Sequence, residues 1–213
     1  MSIYLPAHFT SPDPAARERI ATQVIAAHPF ATLISVRDGE PFVTHCPVTV
    51  QADASGAPIL EGHMARGNPH WRAWQAGQDR VLVIFHGPHA YVSPTLYEGR
   101  ENVPTWNYVV VHVRGQAVLT SDSFDDKDAL LKRLIAHVEP GYADHWRSLA
   151  PDYQHRMLGA IVGFRIPMTE IDVKLKVSQN RLPVDRQRVH DAFSQGSAPE
   201  QSLAAWMRQL GAV

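Results

Sequence analysis

The densest chemistry in the chain lies in the run Gly62-His63-Met64-Ala65-Arg66-Gly67-Asn68-Pro69-His70-Trp71. An apolar strand ends there, a cation follows on a glycine-flanked turn, and a helix begins. Asn68 before Pro69 is a helix-start signal: the Asn side chain caps the first unpaired N–H groups, and Pro fits the first helical position, where no N–H is needed. Those N–H groups and the helix dipole attract phosphate. Arg66, two residues ahead of the cap, offers a two-pronged guanidinium to the same anion, and Gly67 lets the backbone come close to it. The run therefore predicts a phosphate-type anion site. The same residues also suit an ordinary strand–turn–helix with Arg66 in solvent.

Other reactive side chains are more scattered. His45, His63 and His112 are candidates for handling a proton, and each suits a hydrogen-bonded structural role equally. Lys174 and Lys176 alternate with Ile171, Val173, Leu175 and Val177, so both face one way, as donors or as a solvated strand edge. Cys46 is the only cysteine, which excludes an intrachain disulfide. Its place on an apolar strand face makes an inert thiol the natural reading. Among twelve histidines, His86-x-x-His89 straddles a Gly-Pro turn, no His-x-x-x-His pair exists, and no Cys/His cluster forms a zinc set. No G-x-S-x-G nucleophile elbow is present.

The elements that must position these residues begin with a helix opened by Asp13-Pro14, whose Ile20, Ala21, Val24 and Ile25 form one apolar face until His28-Pro29. Phe30 to Val36 and Phe42 to Gln51 read as a hairpin about Asp38-Gly39, with Phe42, Thr44, Cys46, Val48 and Val50 on one face and Val43, His45, Thr49 and Gln51 on the other. A turn over 53–58 leads to a third strand, Ile59 to His63. Arg80 to Phe85 is an apolar strand broken by Gly87-Pro88, with His89 to Ser93 as a separate short one. Trp106 to Thr120 alternates as one long strand, Val109, Val111 and Val113 opposite Trp106, Tyr108, His112 and Arg114. Ser123-x-x-Asp126 resembles a capping box for a helix with an inward stripe of Leu130, Leu131, Leu134, Ile135 and Val138. Two strands close the sheet at Gly159–Ile166 and Ile171–Val177. From about Leu182 the chain carries helical patches with a Gly/Ser/Pro break, read as a mobile appendage over 182–213 rather than a separate domain.

Strands joined by short turns argue for an antiparallel sheet closed into a small barrel with peripheral helices, in the α+β or mainly β class. With 213 residues, 45% hydrophobic and 19% charged, the chain suits one globular domain of about 1–181 plus that appendage. A net charge of -1 excludes bulk attraction to nucleic acid. No run is long and apolar enough to span a membrane, and the start lacks a signal peptide, so the expected home is cytoplasmic, with no membrane partner.

Six blocks occur in a recognisable order: Tyr4-x-Pro6-x-His8-Phe9, Thr44-His45-Cys46-Pro47, Gly62 to Pro69, Tyr91-Val92-Ser93-Pro94, Val103-Pro104-Thr105-Trp106-Asn107-Tyr108 and Ser178-Gln179-Asn180-Arg181. Together they resemble the PaiB-like family, FMN-binding split-barrel proteins related to the pyridoxamine-phosphate oxidase-like flavoproteins and described as negative transcriptional regulators of protease production and sporulation. The resemblance reaches from the first residues to about Arg188. Cys46 stands where an aliphatic residue is usual, and Gly67 where a small residue such as Ala is usual. It implies an antiparallel split barrel, a homodimer, and FMN in a cleft between subunits. Arg66, Asn68 and His63 would then hold the phosphate, with Lys176 and Ser178 or Gln179 as further donors. Thr44, His45 and the backbone around Pro47 would bond the isoalloxazine ring, and Trp106 with Asn107 would cover or edge it, although Trp106 suits a plain core position too.

Three functions are compatible with that resemblance. The first is a flavin-binding regulator acting on DNA or on another protein, although no helix-turn-helix, zinc-finger spacing or net basic charge supports a DNA role. The second is an FMN-dependent oxidoreductase on an unnamed small molecule, in which the protein positions the flavin. The third, haem binding through an exposed histidine, ranks behind FMN because of the histidine spacing.

Overall fold

The computed structural model describes residues 3–213. Local signals set the first elements. The Asp13 carboxylate accepts from the Ala15 and Ala16 amides at 3.0 and 3.1 Å and opens helix α1 (Pro14–Ala27). Strands β1 (Phe30–Arg37) and β2 (Glu40–Ala52) pair antiparallel from Phe30↔Pro47 to Arg37↔Glu40. Their turn places Asp38 at φ 52° and Gly39 at φ 85°, the left-handed pair that a two-residue hairpin needs. Strand β3 (Pro58–Ala65) and helix α2 (His70–Gln75) follow, then β4 (Arg80–Val92), β5 (Thr105–Gln116) and β6 (Val118–Leu119). Helices α3 (Phe124–Val138), α4 (Ala143–Ser148) and α5 (Pro151–Gly159) precede β7 (Ile161–Pro167), β8 (Glu170–Lys176), α6 (Pro183–Ser194) and α7 (Ala198–Gln209). The hydrogen-bonded strand order is β6-β7-β3-β2-β1-β4-β5-β8.

Strand β2 changes partners at a proline. Residues up to Pro47 pair with β1, whereas Val48–Ala52 pair with β3. Pro47 has no N–H to give a ladder, and the next amide, Val48, bonds instead to the Pro29 carbonyl at 2.8 Å. The Pro47 carbonyl comes so close to β3 that a Cβ on Gly62 would lie 2.9 Å from its oxygen and 2.8 Å from the Phe164 ring, so only glycine fits there.

The described residues form two compact units. One holds residues 25–85 and 113–171. Its core includes Leu33, Val48, Leu60, Trp74 and Phe164, with Trp74 edge-on to Phe164 at 5.3 Å and its indole N–H donating to the Ser35 hydroxyl at 3.0 Å. The other holds residues up to 24, 86–112 and 172–213. Its core includes Val92, Val177, Val189, Phe193, Leu203 and Met207.

Several expectations need correction. Gly87-Pro88 does not break a strand: β4 runs through it. The β1 register on β4 ends at Ile84, so Pro88 lies beyond that ladder and leaves it intact. A Cβ on Gly87 would sit 3.0 Å from the Val109 carbonyl, so the glycine permits a close approach within its unit. The long strand expected over 106–120 is two, interrupted at Ala117, whose amide turns aside to the Asp79 carbonyl at 2.8 Å. Val138, expected on the inward stripe of α3, is exposed. Helices α4 and α5 had no clear periodic signal because each spans only two or three turns. The segment from Leu182 is not a loose appendage. Asp185 is buried and accepts the Glu98 amide at 2.8 Å, and Gln23 and Gln209 exchange amide hydrogen bonds at 3.2 and 2.8 Å.

Candidate functional site

The predicted site residues fall into two groups, one in each unit. Thr44, His45, Pro47, His63, Arg66 and Asn68 belong to the first unit; Trp106, Asn107, Lys176, Ser178 and Gln179 belong to the second.

In the first group, β3 delivers the chain to the turn and the turn is locked from several sides. The Asn68 amide bonds back to the Ala65 carbonyl at 2.9 Å, and the Arg66 amide donates to the Ala160 carbonyl at 2.8 Å. Pro69 rather than Asn68 takes the cap position of α2, and Asn68 stands just ahead of it, its side-chain oxygen accepting the His70 amide at 3.0 Å while its nitrogen donates to the Thr44 hydroxyl at 2.9 Å. One expectation weakens here: α2 is only six residues long, and the His70 amide is already used by Asn68. Helix dipole and open amides therefore contribute little to an anion, and cationic side chains must supply most of the attraction.

Arg66 is held as such a cation. Its Nε donates to the Gly159 carbonyl at 2.8 Å and one terminal nitrogen to the Ile161 carbonyl at 3.1 Å, which fixes the plane of the guanidinium. The same nitrogen pairs with Asp122, so Arg66 is not loose in solvent. Lys127 reaches the same Asp122 oxygen at 2.6 Å, and these residues, with Phe124, His155 and Gly159, line a cavity of about 400 Å³. His63 points its Nδ1 into a buried position where it has no hydrogen-bond partner, and burial pushes its pKa below the usual histidine value. His45 lies on the opposite, exposed face of β2, bonded to Thr32 at 3.1 Å, and so does not join Thr44 and Asn68. Cys46 is buried, and burial pushes its thiol up to about 12, which makes it inert at neutral pH.

His70, which carried no expected role, completes the first group. It is buried, bonds Thr44 through Nδ1 at 2.8 Å, and packs against Phe42 and Trp74 with ring centroids 4.8 and 4.7 Å away. Burial pulls its pKa down to about 4. A histidine free in the unfolded chain takes a proton below about 6.5, whereas this one stays neutral in the fold until about pH 4. Its folded pKa is depressed, so its contribution to stability is full above pH 6.5 and is lost as the pH falls toward 4. We expect urea midpoints to fall over that window by an amount equivalent to about 3 kcal/mol, and His70→Phe to remove most of the slope. An unchanged slope in that variant would assign the acid sensitivity to other groups.

The second group is also organised. Asn107 and Ser178 are both buried and share hydrogen bonds at 2.9 and 3.3 Å, with Ser178 held at φ 66°. Lys176 donates to the Thr105 hydroxyl. Burial, then repulsion from Lys174 and Arg181, pushes its pKa below the usual lysine value. Gln179 is used by its own strand end, accepting the Val177 amide at 2.8 Å and donating to the Leu175 carbonyl. Trp106 is not core: it is 52% exposed beside His89 and Tyr91, at a shallow apolar depression of about 360 Å³. Lys174 is not at a solvated edge either; it is buried, donates to the Tyr4 carbonyl at 2.7 Å and lies over the Tyr4 and Tyr108 rings at 5.2 and 5.6 Å.

Sequence reasoning missed Lys127 and Asp122. A signal for Lys127 existed: it begins the same three- and four-residue spacing as Leu130, Leu131 and Leu134, so a lysine heads the inward stripe of α3.

A protein-family model described as "Putative FMN-binding domain" matches residues 3–170. "Protease synthase and sporulation protein PAI 2" of Bacillus subtilis (strain 168) is 39% identical over 176 residues, a match covering 80% of this chain and 81% of that protein. Among solved structures, the FAD and haem binding protein from Mycobacterium smegmatis aligns with TM-score 0.58 at 21% identity, over 75% of this chain and 71% of its own. The flavocytochrome Anf3 from Azotobacter vinelandii aligns with TM-score 0.59 at 18% identity, over 78% and 68%. At these identities the structural likeness is one of fold.

Proposed function

We propose, for a chain that belongs to the FMN-binding domain family, that it is a flavin-holding regulatory protein of the PAI 2 type whose phosphate grip is the Arg66 turn. Membership carries the cofactor and the fold: FMN, on an antiparallel split barrel. The residues present suit a phosphate-bearing ligand. A guanidinium fixed by two backbone carbonyls stands on the wall of a cavity that Lys127 also lines, whereas His63, whose buried Nδ1 has no partner, does not line that cavity. The fixed guanidinium is the observation that carries the reading, because an arginine with no ligand to hold is ordinarily left to solvent.

In this reading Arg66 binds the phosphate, and Asn68 and Thr44 set the turn and offer polar atoms to the flavin. Within the second group, Asn107, Ser178 and Lys176 offer polar atoms of their own, and Trp106 an exposed aromatic surface against which a ring can rest. Pro47, His45 and Gln179 take the lesser roles their positions allow. FMN, when bound, supplies one- and two-electron redox chemistry, and the protein supplies position and charge. Two copies of the chain share the ligand, as the family resemblance implies. The regulatory role rests on the 39% identity to a protein whose name ties it to protease synthesis and sporulation. A DNA contact draws no support from a net charge of -1.

An absorption spectrum of the purified protein with FMN added tests the reading, together with reduction by NADPH, size-exclusion chromatography and duplex binding at several salt concentrations. The expected result is a bound flavin on a dimer that NADPH alone does not turn over. Rapid, sustained NADPH oxidation would replace the regulator with an oxidoreductase, and salt-sensitive duplex binding would make DNA the regulator's target. Absence of flavin binding would end the account.

A further inference from the structure

Lys127 presents an uncommon combination. It sits in the first turns of α3, its side chain is 5% exposed, and its ammonium ends at 2.6 Å from Asp122, whose own side chain is 69% exposed. Arg66 pairs with that same carboxylate oxygen. Two basic side chains thus share one oxygen of one carboxylate, beside a cavity of about 400 Å³, and hydrogen bonding to Lys127 and then Arg66 holds the Asp122 pKa below its ordinary value. The charges do not balance. A phosphate monoester, with a charge of about -1.5 to -2 at neutral pH and three acceptor oxygens, would match the pair where a single carboxylate does not.

The anchored and the exposed partners are also clearly distinguished. Lys127 is anchored by its burial and Arg66 by the Gly159 and Ile161 carbonyls, whereas Asp122 lies in the short loop between β6 and the Ser123 cap with most of its side chain in solvent. We infer that Lys127 and Arg66 form the phosphate-holding pair, and that Asp122 is a built-in counter-ion which occupies the phosphate's place until the ligand displaces it. This rests on the reading of the Arg66 turn as the FMN phosphate site and adds to it a residue and a competitor. A buried lysine without a partner would be costly, so the aspartate keeps the ligand-free pocket stable, and FMN binding is an exchange of anions.

Titrations of FMN and riboflavin into the full-length protein, Lys127→Gln and Asp122→Asn, read by flavin fluorescence, test the exchange. Lys127→Gln is expected to weaken FMN about tenfold, and Asp122→Asn to tighten it about three- to tenfold, with riboflavin unmoved in both. Inorganic phosphate should compete with FMN but not with riboflavin; phosphate that binds without competing would make the pocket a separate anion site and overturn the inference. Equal changes for FMN and riboflavin, or none in either variant while the unmodified protein still prefers FMN, would overturn it too and leave the Arg66 reading standing. If the unmodified protein does not distinguish FMN from riboflavin, both fall.

Discussion

Replacing Arg66 with alanine is expected to lower the affinity for FMN by about 10- to 100-fold, because hydrogen bonds to a charged group contribute about 1.5–3 kcal/mol and each 1.4 kcal/mol is tenfold in binding. Riboflavin, which lacks the phosphate, should bind the variant as it binds the unmodified protein. Arg66→Lys keeps the charge but not the planar fork and should fall between the two. Lys174→Ala is the control. Its ammonium is spent on the Tyr4 carbonyl and the faces of Tyr4 and Tyr108, so its loss should move FMN affinity little. Arg66 also ties the Gly159 and Ile161 carbonyls, so a thermal melt must accompany each titration. Equal losses in the Arg66 and Lys174 variants, or none in either, would place the phosphate elsewhere.

The largest stability effect is expected at a second charged cluster. Glu61 on β3 is 2% exposed, and its carboxylate takes hydrogen bonds from Arg133 of α3 at 2.6 and 2.9 Å and from Arg165 of β7 at 2.9 Å. The two arginines are partly exposed and would rehydrate if the glutamate were removed; the glutamate has no such escape. Breaking the cluster from the arginine side therefore costs more. Arg133→Met with Arg165→Met strands a buried charge and should destabilise by about 3–5 kcal/mol in urea unfolding. Adding Glu61→Leu to that pair should recover much of the loss, since an apolar replacement of a buried ion pair is often close to neutral. A double variant within about 1 kcal/mol of the unmodified protein would mean that water already reaches Glu61.

What the sequence discloses is what is settled locally. Asp13-Pro14, Asp38-Gly39 and Ser123-x-x-Asp126 each decide a cap or turn within a few residues, and each stands where expected. The Arg66–Asn68 turn was legible for the same reason. Gly87-Pro88 misled because the effect of a proline in a strand depends on whether a partner needs its N–H, and only the end of the β1 register answers that. The site was legible in part. Periodicity placed Thr44 and His45 on opposite faces, and the structure keeps them there. Periodicity cannot name a partner, however. Arg66 meets Asp122 across 56 residues, and Glu61 meets Arg133 and Arg165 across 72 and 104. Lys127 was hidden by the expectation that lysines face water, and Glu61 by its place among apolar neighbours on β3.

The most direct measurement is a crystal structure of the full-length protein grown with FMN. The account predicts the phosphate within hydrogen-bond reach of the Arg66 guanidinium, with Asp122 turned away from it. A flavin whose phosphate is seated away from Arg66, with the Arg66–Asp122 pair intact, would contradict it.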